Sequence, residues 1–163
     1  MRILLLLLCS IALTSASAQK LTHLKKLDEG KCQIAFPVEP SKQEQEFEGF
    51  PTVLFISTYK EIVYLFSYSA IPIDESEITT VLHATKGGFL NSVAMKGSNE
   101  KEITKGKIKR IHTNGISVEN NLYVTYEVFY HNGILYQIGI MQKDKLPENK
   151  LIKAFFKSFK ILK

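Results

Sequence analysis

Cysteine is almost absent from this chain, with two in 163 residues, Cys9 and Cys32. Cys9 lies inside an N-terminal apolar stretch that reads as an export signal, so Cys32 stands alone afterwards and an intrachain disulfide is excluded. In Lys31 to Phe36 a period of two puts Cys32 on the face of Ile34 and Phe36, the place of a small buried hydrophobe. Long apolar runs are equally scarce. Ile3 to Leu13 is too short to cross a hydrocarbon core of roughly 30 Å, and no second run follows it. Leu8, not a small residue, precedes Cys9, which argues against a lipid anchor there. Internal repeats and low-complexity tracts are also missing.

Chemistry-bearing motifs are missing as well. His23, His83, His112 and His131 are scattered, with no i, i+4 pair and no neighbouring ligand at metal-binding spacing. Ser117, in Gly115-Ile116-Ser117-Val118-Glu119, lacks the second glycine of a nucleophile elbow. Lys86-Gly87-Gly88 falls within a helical pattern, whereas phosphate-cradling loops precede their helix. No catalytic, cofactor-binding or metal-ligating residue is nominated, and the reading leans away from an enzyme.

What is present begins with the signal. Arg2, the apolar run and Ala16-Ser17-Ala18 predict cleavage after Ala18, leaving residues 19–163 as a single globular domain exported to a periplasm or beyond the cell. No transmembrane segment is expected after cleavage. Charge is uneven: Gln19 to Thr80 sums to −4, while Val81 to Lys163 sums to +8. A basic half can attract an anionic surface weakly, over a Debye length, and export argues against nucleic acid as the partner. The candidate basic surface is Lys105, Lys107, Lys109, Lys153 and Lys157.

Leu21, Leu24 and Leu27 have helical spacing and predict a short helix or turn before Gly30. A strand follows over Lys31 to Phe36, then loop over Ser41 to Gln45. Phe47 to Tyr59 and Ile62 to Ile71 read as a hairpin. Asp74 and Glu77 have capping-box spacing, and Ile78, Val81, Leu82, Thr85, Phe89 and Val93 share a helical face, predicting a helix from Glu75 to Ala94. Gly87-Gly88 within it predicts a kink or a close neighbour. Glu102 to Ile111 alternates as one strand, with Lys105, Lys107 and Lys109 on one face. Strands at Leu122 to Tyr130 and Ile134 to Met141 are joined by Asn132-Gly133, the signal for a type I′ turn.

That hairpin pairs Phe129 with Tyr136 and Glu127 with Ile138 on one face, and Tyr130 with Leu135 on the other. Apolar bulk on both faces predicts central strands covered on both sides, by the Glu75 helix and by a terminal helix opened by Pro147, with Leu151, Ile152, Phe155, Phe156 and Phe159 inward. The order of elements, with Phe36-Pro37-Val38-Glu39-Pro40, Asn132-Gly133-Ile134-Leu135-Tyr136 and Phe155-Phe156-Lys157-Ser158-Phe159, resembles uncharacterised exported bacterial proteins with a PsbP-like fold. The resemblance implies an interaction module rather than an enzyme. The expected fold class is therefore α+β, a mainly antiparallel sheet flanked by helices on both faces, an α/β/α sandwich.

Two functions are expected from these residues. One is a non-catalytic binding or assembly module acting on a protein or cell-envelope partner. The other is a carrier of a small apolar ligand between sheet and helix, with Glu127, Phe129, Tyr136 and Ile138 as its pocket. No cofactor is implied by either.

Overall fold

In the computed structural model the described residues are 20–47, 49–106, 108–117 and 119–162, with the side chains of Phe47 and Lys105 also left aside. The predicted signal, residues 1–18, and Lys107 lie outside them. In chain order the elements are β1 (His23–Leu27), β2 (Cys32–Phe36), β3 (Ser41–Phe47), β4 (Phe50–Tyr59), β5 (Ile62–Ala70) and α1 (Ile78–Ser92). They continue with β6 (Lys96–Lys105), β7 (Ile108–Ser117), β8 (Leu122–His131), β9 (Ile134–Lys143), α2 (Asn149–Ser158) and β10 (Lys160–Ile161).

Seven strands form one antiparallel sheet in the order β3-β4-β5-β9-β8-β7-β6, and β1-β2-β10 form a second, small sheet. The β8–β9 hairpin forms in the expected register, with Phe129 opposite Tyr136 and Tyr130 opposite Leu135. Its turn residues Asn132 and Gly133 both take positive φ, 49° and 81°, the backbone a type I′ turn requires.

The expected α/β/α sandwich with a helical layer on each face, PsbP-like, is overturned. Strands take 55% of the described residues and helices 18%, and there are only two helices. One face of the large sheet carries α1 alone. The other is faced by β2, whose Cys32, Ile34 and Phe36 enter the sheet's core, together with Phe155 of α2. Three misread segments explain the difference. Within Leu21 to Leu27, His23 to Leu27 is an edge strand paired with β2 through His23–Phe36 and Leu27–Cys32, its period of two hidden because Leu24 is exposed. Ser41 to Gln45 is polar because it belongs to the edge strand β3, whose flanks need no burial. Glu102 to Ile111 is two strands, not one. Gly106 turns at φ 61° and Lys105 pairs back with Ile108.

The position of α1 follows from two glycines. Gly97 and Gly115 lie side by side in the β6–β7 pair, and Leu90 of α1 sits on both. A Cβ on Gly115 would meet Leu90 Cδ2 at 3.0 Å and Val124 Cγ1 at 2.8 Å, so only glycine permits this seat. Phe89 stacks on Tyr126 at 4.2 Å, nearly parallel at 7°. The helix is thereby held over β6, β7 and β8, leaving the β3–β4–β5 end of the same face without a helix. α1 begins at Ile78 rather than Glu75, and no side-chain cap bond forms at its start; the Asp74–Glu77 pair makes a backbone turn instead.

Candidate functional site

Along β4, β5 and β9 the pleat sends alternate side chains to the α1 face. Leu54, Ile56, Val63, Leu65 and Met141 point there and are only half-buried. Between this floor and the flank of α1 lies a hollow of about 330 Å³. Its floor is Leu54, Leu65, Ser67, Gln137 and Met141, and its helical wall is Thr85, Gly88, Phe89 and Val93. A second hollow of about 220 Å³ abuts it at Thr85, bordered by Phe50, Ile71, Ile73, Val81 and Leu135, with Glu77 at its mouth. Together they form one groove along α1.

Some polar groups of the groove are engaged by their neighbours. Thr52 and Ser69 share a hydroxyl hydrogen bond of 2.6 Å. Tyr126 Oη donates to Gln137 Oε1 at 2.6 Å, and burial drives that phenol well above its ordinary pKa, keeping it protonated as a donor. Gly87 and Gly88 produce neither of the expected effects, since α1 runs through them and a Cβ at either would meet nothing within 4 Å. At Gly88 that open space is the rim of the larger hollow.

The residues expected to form a pocket lie on the opposite face, where they are packed solid. Phe129, Tyr136 and Ile138 are at most 2% exposed. Phe129 and Tyr136 stack at 5.0 Å, and Phe159 closes over both edge-on at 5.1 and 5.3 Å. Tyr136 Oη donates to the Gly30 carbonyl at 2.8 Å. Glu127 shares their face but is held by Arg110 Nη1 at 3.2 Å and His112 Nδ1 at 3.1 Å, with the Arg110 guanidinium 5.1 Å over the Phe129 ring. None of the four borders the groove.

The candidate basic residues are not gathered on one surface either. Lys109 pairs with Tyr130 and shares the α1 side of the sheet, while Lys153 and Lys157 project outward from α2 on the other side. The side chain of Lys105 and all of Lys107 are outside the described residues.

The fold also assembles a group that spacing along the chain conceals. His83 of α1 meets Glu102 of β6 at 2.8 Å and Glu100 at 3.4 Å, an arrangement with the atoms to hold a metal ion. Lys86 pairs with Glu100 in the same cluster, so its ammonium already supplies the cation that these carboxylates neutralise. The helical spacing of His83 and Lys86, facing the acids of the following strand, is the only trace in the sequence. Cys32 is wholly buried and its thiol is pushed up to about 12 by burial, which makes it unreactive at neutral pH. Ser117 is buried and accepts a hydrogen bond from Asn120 Nδ2 at 3.2 Å.

A wider hollow of about 760 Å³ lies near the β8–β9 turn, but Asp28, Lys31, His131 and Asn132 give it charged and polar walls. The groove beside α1 is the more coherent site, since Leu54, Leu65, Phe89, Val93 and Met141 border its larger hollow and the polar residues described there are all neutral. No protein-family model and no curated protein matches the chain.

Proposed function

We propose that this protein is an exported, non-catalytic binding module that carries a small apolar ligand in the groove between α1 and the β4–β5–β9 floor. Of the two functions expected from the sequence, the geometry favours the carrier, at a different place from the one expected. The carrying observation is the hollow itself: Leu54, Leu65, Met141, Phe89 and Val93 border about 330 Å³ beside a helical glycine whose Cβ position is empty. A helix interior glycine costs about 1 kcal/mol against alanine, and half-exposed apolar side chains forgo burial at about 25 cal/mol per Å². Alanine at 88 would recover the helix cost without meeting any atom within 4 Å, so packing does not require glycine there, and a guest lying against the helix gives a small residue at this rim a use. An apolar cavity of about 150 Å³ already accommodates benzene, so this one admits a medium-length alkyl chain or a small ring system.

Export rests on residues 1–18 as read above. Among the described residues no helix is long and apolar enough to cross a membrane. The test is native mass spectrometry of residues 19–163, purified gently from the exported fraction of the host, beside Gly88→Leu. The wild type should carry a small-molecule adduct that the variant lacks. An equal adduct on both places the ligand elsewhere, and a bare wild-type polypeptide, or one with a protein attached, ends the carrier reading in favour of a partner-binding module.

A further inference from the structure

We infer that the ligand of this groove is not an anion and carries a hydrogen-bond acceptor, an ester or ketone oxygen, held by the Gln137 amide with one arm in each hollow. This rests on the carrier reading above. None of the twelve residues that border the larger hollow is charged. An anionic head group entering it would shed water and meet no cation, and Glu77 in the adjoining hollow would repel it. A fatty-acid carboxylate is therefore the wrong guest, although its chain would fit.

The donor is fixed by its neighbour. Gln137 lies mid-strand on β9, and its Oε1 is already occupied by Tyr126 Oη, whose hydroxyl is buried behind it. The amide carbonyl thus faces the protein, and the NH₂ group is left to face the hollow that Gln137 borders. Ser67 stands directly opposite in the β5–β9 register and borders the same hollow, adding a hydroxyl to the same spot. Two polar side chains at the centre of an apolar floor orient one oxygen.

Position along the strand supplies the arms. Leu135, two residues before Gln137, borders the smaller hollow, and Met141, four residues after, borders the larger. Gln137 sits between them, so an acceptor bound there has space on both sides, toward Met141 in the larger hollow and toward Leu135, Ile71 and Val81 in the smaller. A terminal carbonyl would leave one hollow empty.

The experiment uses three probes of similar length, butyl butanoate, n-nonane and octanoate, titrated at pH 7 and followed by the backbone amide resonances of Leu65, Gly88 and Gln137. The ester should bind about fivefold more tightly than nonane, the worth of one neutral hydrogen bond, and at least about tenfold more tightly than octanoate. Gln137→Leu should remove the ester's advantage over nonane, read as the ratio of the two affinities measured on the same variant. Because that variant strands the Tyr126 hydroxyl, Tyr126→Phe/Gln137→Leu removes both partners and should show the same loss. Octanoate binding as well as the ester, or an ester preference that survives both variants, overturns this inference while nonane binding upholds the groove. If none of the three probes moves these resonances, the inference and the carrier reading fall together.

Discussion

The two faces of the seven-stranded sheet are built from alternating residues of the same strands, yet they are put to different uses. On the face toward β2 and α2, aromatic rings run in unbroken contact: Phe36 meets Phe155 at 5.6 Å, Phe155 meets Tyr64 at 5.0 Å, and Phe66 meets Phe159 at 5.8 Å. On the face toward α1, only the half under the helix is sealed. There Leu82, Leu90, Ile111, Val124 and Val128 are buried, while Leu54, Leu65 and Met141 beyond it stay half open. One residue of displacement along a strand therefore moves a side chain from a region organised for stability to one organised around space.

The sharpest way to break that contrast is to cut matching holes in each face. Phe155→Ala removes the ring that joins Phe36 to Tyr64 and should cost about 3–5 kcal/mol in denaturant unfolding. Leu54→Ala, on the floor of the groove, should cost less, about 2 kcal/mol, because a partly buried side chain gives up fewer contacts than a fully buried one. Equal losses would mean that the groove is as well packed as the sealed face. Next in size is Gly115→Ala, which brings a Cβ within 2.8 Å of Val124 and 3.0 Å of Leu90. Overpacking there should cost about 1–3 kcal/mol and shift α1 across the groove, detected as lost probe binding greater than the stability loss explains.

The sealed face also has a signature in alkaline solution. The Cys32 thiol is pushed up from 9.0 to about 12 by burial, so between those values the unfolded chain releases a proton that the folded one keeps. Stability from this source is intact below pH 9 and falls as pH rises toward 12, by at most about 1.4 kcal/mol per pH unit. Cys32→Ala should show a shallower decline over the same window. Identical slopes would show that water reaches the thiol and that this face is not sealed.

The sealed face was largely legible in the sequence, and the open one was not. Asn132-Gly133 set the central hairpin, its register placed Phe129 beside Tyr136, and the Phe155 to Phe159 segment announced its cover, because large apolar side chains at regular spacing state where they will be buried. The groove is written in departures from that pattern: Ser67 and Gln137 interrupting apolar strands, and Gly88 interrupting a helix. Each looks like an unremarkable local choice until the sheet order brings β5, β9 and α1 together. The edge strands were missed for a related reason. Ser41 to Glu46 and Lys96 to Thr104 are exposed throughout, so burial imposes no apolar alternation on them. Apolar bulk at Phe129, Tyr136 and Ile138 pointed to a face that is packed solid, since the largest side chains fill space rather than enclose it.

The smallest effect separates the two neighbouring glycines of α1. Both are helical, and neither would meet an atom within 4 Å of an added Cβ, so Gly87→Ala and Gly88→Ala should each stabilise the protein by about 1 kcal/mol. Their effects on binding should differ. Gly88 borders the larger hollow and Gly87 does not, so only the change at 88 puts a methyl group at the rim and weakens nonane or ester binding severalfold. Thermal unfolding and probe titration on the two variants read both quantities from the same samples. If the two variants lose affinity equally, or neither does, the open half-face is not the binding site; if they gain equal stability and diverge in affinity, position 88 is kept small for the ligand and against the interest of the helix.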